Sequence, residues 1–168
     1  GDYTAGQGAG ELLNAIFTRH VIFELEEIQG DELSLLVAIS KERDSPLEQD
    51  ECGRTVRLEG ADISEPPYFS ADVSELVFGA YNGELRFTRF MVDGTISADG
   101  GRIGGISFSA TMAVDEISRV LPDMGGIELV CQFAENLGLP CEACPSDDFA
   151  LCITVAAEHI MAQGQDLN

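Results

Sequence analysis

The chain of 168 residues is long enough for one domain with its own core, and 45% of it is apolar. Thirty acidic residues against nine Lys and Arg give a formal charge of -21, which repels phosphate backbones and anionic headgroups and argues against nucleic acid as a partner. No window supplies the roughly 18 apolar residues that a transmembrane helix requires, so no transmembrane segment is expected.

The opening "GDYTAGQGAG", residues 1–10, has the small, polar, glycine-rich composition of a flexible linker. Such a segment often follows a removed signal or a lipidated N-terminus, so a lipid anchor upstream of Gly1 fits it. Residues 11–163 are expected to form a single β-rich domain and 164–168 a short tail.

From Arg19 to about Asp115 the apolar period is close to two. "VIFELEEI" sets Val21, Phe23 and Leu25 on one face, "LSLLVAIS" sets Leu33, Leu35, Val37 and Ile39 on one face, and "QGDE" between them predicts a hairpin turn. Val56, Leu58 and Gly60 alternate next. "SEPPYFS" is then assigned to an edge or a loop, because two prolines exclude a central strand. Asn82-Gly83 between apolar runs is a strong hairpin signal, since both residues accept the positive φ of a type I′ turn. On the return strand Leu85 and Phe87 share a face whereas Phe90 and Val92 have the opposite parity, which predicts a bulge near Arg89.

Asp99-Gly100-Gly101 predicts another turn. Beyond it Ile106, Phe108, Ala110, Met112 and Val114 alternate with Ser107, Ser109, Thr111 and Ala113, giving a strand with one dry and one wet face. After Asp115 the spacing becomes helical. Ile127, Val130, Cys131 and Ala134 fall near one stripe, with breaks at Pro122 and Gly125-Gly126 and a stop at Gly138, so two helical pieces are expected. "ALCITVAAEHI" aligns Leu151, Ile153, Val155 and Ala157 for a returning strand. Seven or eight strands and a late helical segment predict a mainly β (α+β) fold, an antiparallel sheet curled as a barrel or sandwich.

Four of the five cysteines are spaced C-x9-C-x2-C-x7-C from Cys131 to Cys152. Structural zinc usually takes two close thiol pairs, and only Cys141 and Cys144 are close. A redox CxxC normally opens a helix, whereas this one sits in an acidic, proline-bounded loop that raises a thiol pKa. Disulfides are the preferred assignment, and they imply an oxidising compartment. Of the three possible pairings, Cys131–Cys141 with Cys144–Cys152 is preferred to the crossed Cys131–Cys144 with Cys141–Cys152. Joining Cys141 to Cys144 would close a very short ring, and Cys52 is left unpaired.

His20 and His159 lie in apolar strand contexts without partners at ligand spacing, and are expected to be structural. No hydrolase, zinc-protease or phosphate-loop motif occurs, so the sequence nominates no catalytic residue, no metal ligand set and no cofactor. Positive charge ends at Arg119, and eight acidic residues follow it.

Together "DGTISADGGRIGGISFSATM", the helix bearing Cys131, the "PCEACPSD" loop and the closing "LCITVAAEHIMA" resemble the C-terminal half of uncharacterised bacterial cell-envelope lipoproteins, over about residues 90 to 163. The resemblance implies secretion and envelope attachment and carries no activity. The expectation is a non-enzymatic extracytoplasmic protein, in the periplasm, on the outer-membrane surface or outside the cell, acting as an interaction or accessory subunit beside other envelope or assembly proteins. The alternative is a module binding a small apolar ligand such as a lipid, lined by Phe87, Phe90, Ile106 and Phe108.

Overall fold

A computed structural model describes residues 11–13, 16, 21–42, 45–50, 52–80, 83–98, 102–145 and 150–160. The linker assigned to residues 1–10 and the tail at 164–168 lie outside them. Residues 11–13 and 16 are helical (α1). Nine strands follow: β1 (Val21–Gln29), β2 (Glu32–Glu42), β3 (Ser45–Gln49), β4 (Val56–Asp62), β5 (Tyr68–Ala80), β6 (Gly83–Ile96), β7 (Ile103–Ala113), β8 (Cys141–Ala143) and β9 (Leu151–Ile160). Helices α2 (Val114–Val120) and α3 (Ile127–Asn136) lie between β7 and β8.

The strands form one antiparallel sheet in the order β1-β2-β4-β5-β6-β7-β9-β8, with β3 paired to β2 outside that path. The fold is mainly β with late helices and a returning strand. Among the described residues its two ends, β1 and β8, do not pair, so the sheet they form is not closed. The nine strands exceed the expected seven or eight because β3 and β8 are too short to carry a visible alternation.

Hairpins follow from local chemistry. Gly30 (φ 63°) turns β1 into β2, where Gln29 faces Glu32. Ala80 faces Gly83 at the tip of the β5–β6 hairpin, although Asn82 lies outside the described residues. The Asp99-Gly100-Gly101 turn is likewise outside them, and the flanking Ile96 and Ile103 are paired.

Arg89 has φ 52°, and the β6–β7 register slips between Thr88 and Met91, which is the bulge that the parity change predicts. The slip has a second consequence. On β5 the buried set changes parity as well, from Phe69 and Ala71 to Leu76 and Phe78, while the β5–β6 register stays unbroken. The hairpin therefore bends as one ribbon, and both halves feed the same core.

Two expectations in this region need correction. Gly60 does not continue the inward face of β4: at φ 71° it forms a bulge against β2, and Ala61 turns inward instead, fully buried. Tyr68-Phe69-Ser70 is not edge or loop but the start of β5, a strand flanked by β4 and β6. Both prolines stop short of the strand, and the Pro67 carbonyl still accepts the Ile96 N–H at 2.8 Å, so the missing donors cost the ladder nothing.

The wet face assigned to β7 is also drier than expected, because Thr111 and Ala113 are buried. Thr111 lies between Thr88 and Thr154 in register. The Thr88 hydroxyl donates to its carbonyl (3.3 Å), and the Thr111 and Thr154 hydroxyls are 3.2 Å apart. At its end β7 becomes α2, which buries Val114, Ile117 and Val120. Glu116 on α2 accepts the Arg86 backbone N–H of β6 (3.2 Å) beyond the last residue that β7 pairs, so a side chain stands in for the missing strand. The Arg86 side chain bridges Glu75 (3.1 Å) and Glu116 (3.7 Å).

Candidate functional site

The C-terminal third departs from plain sheet, and it is here that the suggestive residues gather. Gly126 caps the start of helix α3 and its carbonyl accepts the Val130 N–H, and Glu128 lies in the first turn, where a carboxylate favours the helix dipole. It ends at Gly138 (φ 80°): the Gly138 N–H bonds the Glu135 carbonyl and the Leu139 N–H the Ala134 carbonyl, each at 2.9 Å. A left-handed glycine reverses the chain at that point. The reversal brings Cys141 back to Cys131.

Cys131 is bonded to Cys141 with Cα atoms 5.6 Å apart, and Cys144 to Cys152 at 4.9 Å. This is the uncrossed pairing preferred from the spacing. Cys52 is a free, exposed thiol in a turn where its own N–H and that of Gly53 bond Asp50. The loop expected at "CEAC" contains β8, because the first bridge fixes Cys141 beside α3 and the second fixes the strand's exit to β9. All four sulfurs of this cluster are committed to these two bonds. Among the described residues no group of three or more His, Cys, Asp and Glu side chains could hold a metal ion. His20 lies outside the described residues, as does the side chain of His159.

Charge is distributed unevenly around this element. Toward the N-terminal side several carboxylates face arginines: Arg57 pairs with Glu26 (2.6 Å) and Glu59 (3.6 Å), and Arg119 with Asp115 (2.8 Å). Beyond Arg119, Asp123, Glu128, Glu135 and Glu142 are exposed, and none of them is in an ion pair among the described residues. Between them Ile127 and Leu129 are 45% and 49% exposed. The stripe expected to include Ile127 is instead made by buried Val130 and Ala134 with half-buried Cys131 and Phe133. Ile127 is the first residue of the helix, ahead of the turn that reaches the core.

The residues of the apolar-ligand reading lie together in the core. Phe87, Phe90 and Ile106 are buried and Phe108 is half-buried. Phe87 meets Phe78 and Phe90 edge to face, with centroids 5.8 and 6.4 Å apart, and Phe90 stacks on Phe108 at 6.2 Å.

One buried group escaped the sequence reading. Leu12, Leu13 and Ile16 of α1 are at most 2% exposed and belong to the common core. Their i, i+1, i+4 spacing was the available signal, too short a run to stand out beside the glycine-rich opening. Among titrating groups, Asp62 is held below the usual carboxylate range by hydrogen bonds from the Ser64 backbone N–H (2.8 Å) and side chain.

No protein-family model matches the chain, and neither the curated proteins nor the solved structures contain a match to it.

Proposed function

We propose that the chain is a non-enzymatic extracytoplasmic protein, an interaction or accessory subunit of a cell-envelope or extracellular assembly. The observation that carries this reading is the α3–β8 element. Two disulfides tie it together and to β9, and it presents Ile127 and Leu129 beside exposed carboxylates that form no ion pair among the described residues. Disulfides persist in oxidising compartments, which supports a location outside the cytoplasm. The resemblance to envelope lipoproteins points the same way. The apolar-ligand alternative has less support, because Phe78, Phe87, Phe90 and Phe108 are one another's packing partners.

The test is fractionation and cross-linking in the source cell. The reading expects recovery from the extracytoplasmic fraction, with both disulfides intact, in cross-linked complexes larger than the 18.0 kDa chain. Recovery from the cytoplasm with five free thiols, or as an uncross-linked monomer, would overturn it.

A further inference from the structure

Strand β9 is paired with β7 along nearly its whole length, but on its other side β8 covers only Leu151–Ile153. Among the described residues no strand pairs with 154–160 on that side. The direction of the backbone groups follows from the ladder. The Cys144 N–H bonds the Ala150 carbonyl (3.4 Å), which puts that carbonyl on the β8 side, and the alternation turns the backbone groups of residues 150, 152, 154 and 156 the same way. The close Thr111 and Thr154 hydroxyls fit this, since side chains approach most closely in the pairs that exchange no backbone bonds. Thr154 and Ala156 thus aim an N–H and a C=O each past the end of β8.

The two long edges of the sheet are treated differently. Strand β1 carries Glu24, Glu26 and Glu27, with a register shift between Leu25 and Glu27, devices that keep an edge from pairing. The open stretch 154–160 carries one carboxylate, Glu158, and no proline. Val155 and Ala157 face the core, while Thr154 and Ala156 are exposed and small, so nothing bulky from residues 154–157 obstructs an added strand.

We propose that this edge of β9 takes an extended, basic strand of a partner protein, continuing the sheet where β8 stops. The proposal rests on the reading of the chain as an interaction subunit. Charge selects the occupant: exposed Glu135 and Glu142 lie on the neighbouring α3 and β8, no Lys or Arg follows Arg119, and a net charge of -21 repels a second copy or an acidic strand.

The test is amide hydrogen exchange by NMR on the full chain, with an eight-residue peptide alternating Val and Lys as probe and its Val-Glu counterpart as control. In dilute free protein the Thr154 and Ala156 amides exchange freely. The Val-Lys peptide slows them at least tenfold, and the Val-Glu peptide leaves them unchanged. Ala156→Pro deletes an N–H that β7 does not use, so it keeps the internal ladder and abolishes protection of Thr154. Ala156→Lys does the same by repulsion, with the Val155 and Ala157 amides as evidence that the fold is intact. Equal protection by both peptides, or by neither, overturns the proposal. So does protection already present in the dilute protein, which means the chain covers its own edge, or protection that grows with protein concentration as the mass doubles, which means a second copy. An extracytoplasmic complex that survives Ala156→Lys removes the β9 edge and leaves the subunit reading standing.

Discussion

The disulfides set the energetics of the C-terminal element, and their separate contributions can be measured. The bridges span 10 and 8 residues of sequence, and limiting the unfolded chain over such loops contributes about 2.5 kcal/mol each at 25 °C. Residues 131–141 and 144–152 share no position, so in the unfolded chain the two closures sum to about 5 kcal/mol, comparable with the lower end of the roughly 5–15 kcal/mol that holds a domain folded. The perturbation is Cys→Ala at both ends of one bridge, then of the other, then of both. The chain has no Trp, so unfolding in urea is followed by far-ultraviolet circular dichroism. With a slope of about 1–3 kcal/mol per molar, each pair lowers the midpoint by about 0.8–2.5 M. Cys152 is 7% exposed and Cys131 and Cys141 are half-buried, so removing Cys144–Cys152 costs slightly more, through lost packing of Cys152. A midpoint unchanged after removal of either bridge, or a quadruple variant no weaker than the doubles, would refute independent closure of two loops.

Gly94→Ala places a Cβ 2.8 Å from Cε1 of Phe69, the residue opposite it on β5, and should destabilise by about 1–3 kcal/mol in the same urea assay; an unchanged midpoint would show that the ring moves freely. Glu116→Ala leaves the part-buried Arg86 N–H without its acceptor and should cost about 1–3 kcal/mol, whereas Glu116→Gln keeps an acceptor and should cost less; equal costs would discount the hydrogen bond. The lowered Asp62 pKa makes its turn stabilising above the ordinary value of 3.8, and that contribution disappears as the pH falls through the folded-state pKa. Destabilisation by Asp62→Ala should therefore be present at neutral pH and vanish in strong acid, with a carboxyl NMR midpoint below 3.8; a midpoint at or above 3.8 would contradict the Ser64 hydrogen bonds.

What the sequence determined by itself was what neighbouring residues settle between themselves. Alternation placed Leu33, Leu35 and Val37 on a buried face, the slip near Arg89 announced a bulge, and Pro122 with Gly125-Gly126 divided α2 from α3. Cysteine spacing was local in the same way, because short loops favour sequential closure.

Tertiary structure decided everything that required distant partners. That Tyr68 opens a strand between β4 and β6, that Ala61 rather than Gly60 turns inward, and that Ile127 stays exposed depend on which strand or helix arrives opposite. The three-residue β8 forms because a helix, two bridges and β9 fix its ends, not because "CEA" prefers a strand. The stretch of β9 at Thr154 and Ala156, which no described strand pairs on the β8 side, is the furthest from local control. Period two marks which side chains face the core, but only the neighbours of β9 decide whether the backbone between them is paired or left open.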